Sequence, residues 1–414
     1  MSGDGLARSV MARCDTLGGF SEEAERLTRR FATAPMREVN ARVAAWMRAA
    51  GMDVRQDAVG NLIGRYEGRS ADAPTLLLGS HLDTVRDAGK YDGPLGVLTA
   101  LALVERLHAH DEHLPLALEV YGFADEEGLR FHTAYLGSAV VAGAFAPATL
   151  TLADADGTSM EAALRAFGGD PTALQASARG RADLAGYVEV HIEQGPVLEA
   201  QGVPVGVVMG IQGQSRLQVT LTGVAGHAGT APIRLRHDAL CAAADLILAV
   251  ETLAFEMDGL VATVGQIAAY PGASNVIPGE ATLSLDIRHH EDGVWGSAIE
   301  TLHRRAAQIA EKRGVDLLWQ SLQDNPAVRC DGRLSGLLSR SIEACGQPVI
   351  ALPSGAGHDG VMMSRLAPIA MLFVRCAGGI SHNPAESVRE DDVAVALDVL
   401  ERFVRRLAEE RGGA

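Results

Sequence analysis

The chain has 414 residues, of which 47% are hydrophobic and 21% charged, a profile typical of soluble globular proteins that predicts about two to three domains. Its net charge of −16 disfavours nucleic acid and anionic membranes as partners, because both require basic patches. The five scattered cysteines include no CxxC pair, and neither a signal sequence nor an apolar run near the ~18 residues of a membrane span is seen, which predicts a soluble cytoplasmic protein.

The first half of the chain alternates helical and strand patterns. Apolar residues recur at helical spacing from Met36 to Ala50, Gly51 is expected to end that helix, and Ser21 is a candidate N-cap for an earlier one. Strands "TLLLGSH" and "LALEVYGF" flank the helix "GVLTALALVERLHAH", and the strand "YVEVHIEQG" begins at Tyr187. This alternation predicts an α/β domain.

The pattern changes after Gly210. Period-2 strands and two long helices follow in the order β-α-β-β-α-β over about residues 215–325, the order of a ferredoxin-like split-βαβ unit. From about residue 332 the α/β pattern resumes with the helix "LSGLLSRSIEACG" and the strand "IAMLFVRC". We therefore expect a discontinuous catalytic domain, residues 1–210 and 332–414, interrupted by a compact domain of residues 211–331.

Polar clusters follow predicted strands or lie on glycine-rich loops, where open α/β sheets place their functional sites. They contain His81 and Asp83 in "GSHLDTV", Asp92 in "YDGPLGV", Glu126 and Glu127 in "ADEEGLRF", Glu189, His191 and Glu193 in "EVHIEQG", and His382 in "GGISHNPAE". Imidazole and carboxylate ligands together suit Zn²⁺, Mn²⁺ or a similar divalent ion. The carboxylate of Asp92 is able to bridge two such ions.

Each cluster taken alone has a simpler explanation. An acid pair such as Glu126 and Glu127 is usually solvated, and a histidine in a strand is more often packed or exposed than ligating. The joint pattern favours a metal site, because every cluster lies at a strand end or a glycine loop and the ligand types match. There, one glutamate can bind an ion while its neighbour takes a proton from water.

Seven segments in order resemble the M20 metallopeptidase-like family over nearly the whole chain: "GSHLDTV", "YDGPLGV", "ADEEGLRF", "HIEQG", "GHAGTAP", "SGAGHDG" and "GGISHNPAE". The resemblance is strongest to its amidase (hydantoinase/carbamoylase) branch, which contains allantoate amidohydrolases, N-carbamoyl-L-amino acid hydrolases and β-ureidopropionases. It implies an α/β phosphorylase/hydrolase-like catalytic domain with two divalent ions, Mn²⁺ or Zn²⁺. It also implies an inserted ferredoxin-like lid domain through which the chain forms a homodimer.

The resemblance implies roles for individual residues. One ion is expected at His81, Asp92 and His191, and the other at Asp92, Glu127 and His382. Glu126 is the expected general base, and Asp83 is expected to orient His81. The residues expected to bind substrate are Gln194, His227, Asn275, Arg288, Gly357 and His358. His227 and Asn275 are expected to reach the active site of the partner subunit.

The implied reaction is hydrolysis of a ureido C–N bond. His191 argues against a peptidase, because peptidases of the wider family usually have a carboxylate at that position. His227 is expected to stabilise the oxyanion, and Arg288 to bind a substrate carboxylate. Allantoate is the favoured small-molecule substrate, and N-carbamoyl-L-amino acids or 3-ureidopropionate are the alternatives. A non-catalytic binding relative is disfavoured because all five ligands and the base are retained. The roles of His132 and Tyr135 stay open.

Overall fold

The computed structural model describes residues 3–412, and the chain divides into two compact units. The second unit is the continuous segment Gly210–Arg329, and the first is made of the chain on either side of it. Within residues 3–412, every helix is too short or too polar to serve as a membrane span.

Helices and strands alternate through most of the chain. The first unit begins with α1 (Gly3–Gly18), α2 (Ala34–Ala49), β1 (Asp53–Gln56), β2 (Leu62–Tyr66), β3 (Thr75–His81), α3 (Pro94–Ala109), β4 (Ala117–Phe123), α4 (Leu136–Val141), α5 (Met160–Phe167), β5 (Leu184–Ile192), α6 (Val197–Gln201) and β6 (Val205–Ile211). The second unit contains β7 (Gly213–Thr222), β8 (Gly226–His227), α7 (Ala239–Glu256), β9 (Val261–Tyr270), β10 (Val276–Ile277), β11 (Glu280–His289), α8 (Asp292–Arg313), β12 (Asp316–Asn325) and β13 (Val328–Arg329). The first unit then continues with α9 (Gly332–Ala344), β14 (Ala351–Ser354), α10 (Gly360–Met363), β15 (Ile369–Val374) and α11 (Glu390–Gly412).

A mixed sheet with strand order β1-β2-β4-β3-β5-β15-β6 organises the first unit. The neighbours β4, β3, β5 and β15 are parallel, whereas β2 and β6 join them antiparallel. All residues of β3, β4 and β15 are buried, as expected for parallel strands covered on both faces. From β3 the chain continues to β4, which lies on one side of β3. The strand β5 lies on the other side of β3, next to β15 and β6. Such a switch point is where open α/β sheets form their sites.

The segment between β3 and α3 approaches the end of β3 closely. Gly93 has a φ of +82°, and a Cβ atom there would lie 2.5 Å from the imidazole ring of His81. Only glycine combines this backbone conformation with this approach. The nearly fully buried helix α3 starts at the next residue, Pro94, whose ring suits the first helical turn. The turn thus places Asp92, which precedes Gly93, beside His81.

The second unit is a four-stranded antiparallel sheet with two helices. Its main elements follow the order β7-α7-β9-β11-α8-β12, and the strands pair in the order β12-β7-β11-β9. Burial alternates along β7 and β11 with period 2, which is typical of a sheet with one face on the core. Helices α7 and α8 pack against each other and against this sheet.

The prediction of a helix that begins at Ser21 is wrong. Residues 21–33 form an irregular segment, and a helix not predicted from the sequence, α1, precedes it. The Ser21 hydroxyl accepts hydrogen bonds from the backbone N–H groups of Glu23 (3.1 Å) and Thr28 (2.9 Å). Ser21 therefore fixes a turn instead of capping a helix, a competing use of serine that is common outside helices.

A fully buried arginine, Arg29, braces the strand end that carries His81. Its guanidinium donates to the main-chain oxygens of Leu82 (2.8 Å), Leu17 (2.9 Å) and Phe20 (3.1 Å). Burial lowers the pKa of Arg29 to about 10, opposed by the nearby carboxylate of Asp83, so the side chain stays charged at neutral pH. It joins the end of α1 to the loop after β3.

We expect Arg29→Met to lower the free energy of unfolding of the first unit by about 3 kcal/mol, because buried carbonyl groups lose their donor. Urea unfolding followed by circular dichroism measures the change. Arg8→Met is the control, since the Arg8 side chain is 74% exposed and should contribute less than about 0.5 kcal/mol. Equal stabilities of the two variants would contradict the bracing role.

Candidate metal centre

Three imidazoles converge on the buried carboxylate of Asp92. Its Oδ1 atom lies 3.1 Å from Nε2 of His191 and 3.4 Å from Nε2 of His81, and its Oδ2 atom lies 3.3 Å from Nε2 of His382. Glu127 Oε1 lies 3.4 Å from the same His382 nitrogen. The residues thus form two groups that share Asp92, and the ligand atoms within each group lie within 4.8 Å of one another. The fold brings together both ligand sets predicted from the sequence.

The orientation of two imidazole rings in this cluster suits the binding of divalent cations. His191 donates through Nδ1 to the main-chain oxygen of Ile192 (2.9 Å), and His81 donates through Nδ1 to that of Asp83 (3.0 Å). Each Nε2 therefore faces Asp92, and it presents a lone pair whenever the ring is neutral. Within residues 3–412, neither His191 Nε2 nor Asp92 Oδ1 has a hydrogen-bond partner. Buried imidazole nitrogen and carboxylate oxygen atoms that face one another are the ligand types that Zn²⁺ or Mn²⁺ prefers.

Titration of the cluster reflects the same arrangement. Burial raises the pKa of the Asp92 carboxyl group, but the imidazoles of His191, His382 and His81 outweigh burial and hold this pKa well below its ordinary value. Contact with Asp92 and Glu127 raises the pKa of His382 to about 10. The carboxylate is therefore ionised at neutral pH and surrounded by groups that stabilise its charge.

Asp83 holds the loop that carries the two adjacent glutamates. Its carboxylate accepts hydrogen bonds from the backbone N–H groups of Glu126 (3.1 Å) and Glu127 (3.2 Å). The family resemblance predicts that this carboxylate orients His81. Instead the main-chain oxygen of Asp83 makes that hydrogen bond, and the nearest carboxylate oxygen lies 3.8 Å from His81 Nδ1. One residue therefore orients the imidazole with its backbone and the acid loop with its side chain.

Glu126 is buried beside the cluster. One of its oxygens lies within 4.8 Å of ligand atoms of His81 and Glu127, which places it at the same centre. Burial raises the pKa of Glu126 well above its ordinary value, opposed by His81 and reinforced by Glu127. A carboxyl group with a raised pKa that faces a reacting centre is suited to accept and return a proton.

Further buried acids surround the centre. Asp125 and Asp359 are at most 1% exposed, and their carboxylate oxygens lack hydrogen-bond partners among residues 3–412. Burial raises the pKa of both well above the ordinary value, reinforced by Asp83 for Asp125 and by Glu189 for Asp359. The raised pKa values favour the neutral, protonated acids, and a cation at the centre would favour their ionised forms.

A third group of possible ligands, Glu189, His191 and His358, is better explained as structural. Glu189 already accepts hydrogen bonds from Ser80 Oγ (2.9 Å), Tyr187 Oη (3.0 Å) and the N–H of Gly360 (3.1 Å). Burial and the neighbouring His191 lower the pKa of His358 well below its ordinary value, so its ring is neutral. Protein donors thus occupy both oxygens of Glu189, whereas Asp92 Oδ1 has no such donor among residues 3–412, and an ion at Glu189 would have to displace these donors.

The predicted substrate-binding residues of the first unit lie around the cluster. Gln194 donates from Nε2 to Asp92 Oδ2 (2.7 Å), so this amide contacts the shared carboxylate. The ring of His358 packs against that of His191, with centroids 4.4 Å apart. Gly357 lies against Tyr135, since a Cβ atom on Gly357 would be 1.8 Å from the tyrosine oxygen.

Tyr135 and His132 belong to the loop that follows the acid pair. The N–H of Tyr135 donates to the main-chain oxygen of Glu126 (3.0 Å), so Tyr135 links the acid loop to the loop carrying Gly357. The side chain of His132 is exposed.

The predicted substrate-binding residues of the second unit lie on its strands. His227 is on β8, and Asn275 directly precedes its pairing partner β10. The main-chain oxygen of Asn275 accepts from the N–H of Ala228 (2.9 Å). Both side chains are exposed. Arg288 lies on β11 and forms a bidentate pair with Asp286, at 2.7 and 3.0 Å.

Two further residues contact Asp92 that the sequence analysis did not select. Ser381 Oγ donates to Asp92 Oδ2 (2.6 Å). Glu386 Oε1 accepts from the N–H groups of Tyr91 (2.8 Å) and Asp92 (3.1 Å). Both residues lie in the segment "GGISHNPAE", which also carries His382, but their residue types gave no signal of these contacts. A serine or glutamate in a polar loop does not reveal its partner.

We expect Asp83→Ala to weaken Mn²⁺ binding about 10- to 100-fold, because residues that orient metal ligands have effects of this size. Calorimetric titration of the metal-free protein with Mn²⁺ measures it. Asp154→Ala is the control, since the Asp154 carboxylate also accepts two backbone N–H groups, those of Asp156 (3.1 Å) and Thr158 (2.9 Å). Equal losses of affinity in both variants would contradict a specific role for Asp83.

Comparison with known proteins shows which family and relatives this chain is similar to. Residues 77–406 match the sequence model described as Peptidase family M20/M25/M40. A probable allantoate deiminase from Oryza sativa subsp. japonica is 38% identical, covering 100% of this chain and 92% of the relative. An N-carbamoyl-L-amino acid amidohydrolase from Geobacillus stearothermophilus is 42% identical, covering 92% and 94%. The crystal structure of a hydantoinase/carbamoylase family amidase from Burkholderia multivorans is similar at a TM-score of 0.91 and 30% identity, covering 97% and 98%.

Proposed function

The chain belongs to Peptidase family M20/M25/M40, and we propose that it is an amidohydrolase that cleaves the ureido C–N bond of a small carboxylate-bearing substrate. Allantoate is the favoured substrate, yielding ureidoglycine, ammonia and carbon dioxide. The convergence of His81, His191 and His382 on Asp92, with Glu126 beside them, carries the proposal. The names of the relatives, allantoate deiminase and N-carbamoyl-L-amino acid amidohydrolase, support the ureido group as the target.

Two divalent ions, Mn²⁺ or Zn²⁺, are the proposed cofactors. His81, Asp92 and His191 would hold one ion, and Asp92, Glu127 and His382 the other. The support is the sharing of Asp92 by both groups and the close approach of His191 Nε2 to Asp92 Oδ1. When bound, such ions supply Lewis acidity that lowers the pKa of water and polarises the substrate carbonyl.

The residues around the cluster carry the proton transfers. Glu126 accepts a proton from the water that attacks the carbamoyl carbon, and returns it to the leaving nitrogen as the C–N bond breaks. Asp83 keeps Glu126 and Glu127 in place through their backbone N–H groups. His227 donates to the developing oxyanion, which such a donor stabilises by about 3–4 kcal/mol. The carbamate product decomposes to ammonia and carbon dioxide.

The second unit is proposed to be a ferredoxin-like lid and dimerisation domain. Its element order and its strand order β12-β7-β11-β9 support the fold assignment, since this is the split-βαβ arrangement. The side chains of Leu248 and Phe255 on α7 are 61% and 86% exposed, which suits a homodimer interface. In this homodimer His227 and Asn275 would serve the partner's active site. A cytoplasmic location remains a prediction from composition.

Substrate binding is proposed for Arg288, Asn275, Gln194, Gly357 and His358. The guanidinium of Arg288 is held in a fixed orientation by Asp286, and a planar, fixed guanidinium is suited to bind a substrate carboxylate. An N-carbamoyl-L-amino acid has the same carboxylate and ureido groups, and the 42% identity to the enzyme from Geobacillus stearothermophilus favours it as the second candidate.

The proposed function is tested by measuring ammonia release from allantoate, N-carbamoyl-L-amino acids and 3-ureidopropionate, with Mn²⁺ and Zn²⁺ in parallel. We expect metal-dependent release that is fastest from allantoate. Faster release from an N-carbamoyl-L-amino acid would support the second candidate. A protein that binds metal yet releases no ammonia from any ureido substrate would contradict the enzyme assignment.

Glu126→Gln should lower kcat about 10²- to 10⁴-fold, because the amide cannot accept the proton. Mn²⁺ affinity should change less than about threefold, since Glu126 is not one of the proposed ligands. Steady-state ammonia release and calorimetric titration with Mn²⁺ measure the two quantities. Retained turnover would show that another residue is the base.

Arg288→Ala should raise KM for carboxylate-bearing substrates about 10- to 100-fold, because one charged hydrogen-bonding partner is lost. The control is Arg216→Ala, since Arg216 on the neighbouring strand also approaches Asp286 (3.6 Å) but its side chain is 57% exposed. Arg216→Ala should leave KM unchanged. Equal KM values for the two variants would exclude the proposed role of Arg288.

A further inference from the structure

We propose that Glu386 is a positioning residue that holds the loop carrying His382 against the loop carrying Asp92. It would thereby set the affinity for the second metal ion, the one proposed at Asp92, Glu127 and His382. This inference rests on the metal-dependent function proposed above. Glu386 itself is not among the proposed ligands. Its effect would pass through the backbone of Asp92 and through Ser381.

The contacts of Glu386 join segments that are distant in sequence. The side chain is 3% exposed, and its Oε1 accepts from the backbone N–H groups of Tyr91 (2.8 Å) and Asp92 (3.1 Å). Its Oε2 lies 3.2 Å from Ser381 Oγ. Ser381 Oγ donates to Asp92 Oδ2 at 2.6 Å. The carboxylate thus fixes Asp92 from the backbone side, while Ser381 fixes its side chain.

The loop that contains His382 is anchored at its base, directly beside Glu386. Cys376 and Val388 form an isolated antiparallel bridge, and the N–H of Ala377 donates to the main-chain oxygen of Ser387 (2.9 Å). His382 lies between these ends with a φ of +55°, a strained conformation for a residue other than glycine. Its side chain is 48% exposed, so surrounding packing alone does not hold it. The contact of the Glu386 carboxylate with Ser381, the residue before His382, links this part of the loop to its anchored base.

The Glu386 side chain also packs closely against Gly89. A Cβ atom on Gly89 would lie 2.2–2.4 Å from Cδ, Oε1 and Cβ of Glu386. The φ of Gly89 lies outside the left-handed region, so alanine would be tolerated there by the backbone. Glycine is required at this position because Glu386 occupies the space, and Gly89→Ala should displace the carboxylate without removing it.

The test titrates the metal-free full-length protein with Mn²⁺ alone, by calorimetry and by electron paramagnetic resonance. For the wild type we expect two ions per chain and the spectrum of an exchange-coupled pair. Glu386→Ala should weaken the second ion about 10- to 100-fold and give an uncoupled six-line spectrum at one equivalent. Glu386→Gln should bind both ions within about threefold of the wild type, because its amide oxygen still accepts both N–H groups.

A double-mutant cycle separates positioning from a general loss of stability. Gly89→Ala should reproduce the effect of Glu386→Ala, and the double variant should be no worse than either one, because both changes remove one contact. Gly332→Ala is the control, since a Cβ atom there meets nothing within 4 Å, and it should bind Mn²⁺ like the wild type. Additive effects in the cycle would overturn the proposal.

Further results of these titrations would also test the proposed role of Glu386. Wild-type affinity for both ions in Glu386→Ala would overturn the proposal, as would equal weakening of both ions that Glu386→Gln fails to rescue. Ammonia release measured on the same samples separates this inference from the proposed function. A wild type with a coupled Mn²⁺ pair and no ureidohydrolase activity would contradict the function only. A wild type that binds no Mn²⁺ pair would overturn both.

Discussion

The constraint on which this site depends is the burial of several carboxylates at one edge of a sheet. Asp83, Asp92 and Glu126 are each at most 6% exposed, and two like charges 4 Å apart repel by about 4 kcal/mol at an effective dielectric constant of 20. Backbone N–H groups and imidazoles compensate part of this charge. A pair of divalent cations at Asp92 would compensate the rest, which explains why the fold tolerates adjacent acids at the end of an apolar strand.

The surrounding fold serves mainly to hold these groups in place. Parallel strands deliver His81 and His191 to the same edge, and the close turn at Gly93 brings Asp92 to them. Around the ligands, other side chains fix the backbone instead of the metal. Arg29 binds the carbonyl of Leu82, between His81 and Asp83. Residues from distant segments thus hold Asp92, Glu127 and the strand end that carries His81.

The sequence indicated the candidate ligands but, apart from Asp83, not the residues that hold them. His81, Asp92, Glu127, His191 and His382 were identifiable because ligand-type residues at strand ends and glycine loops form a pattern. Arg29 and Glu386 were not, because a charged residue in a polar segment is usually exposed, and the contact of Glu386 with Tyr91 spans 295 residues. The failed helix at Ser21 has the same origin, since tertiary contacts of residues 21–33 override local propensity.

The central claim is that two divalent ions share Asp92. Anomalous diffraction at the manganese absorption edge, from crystals of the Mn²⁺-loaded protein, tests it most directly. The account predicts two peaks in each chain, one among His81, Asp92 and His191 and the other among Asp92, Glu127 and His382. The absence of a peak at Asp92, or a peak only at the group formed by Glu189, His191 and His358, would contradict it.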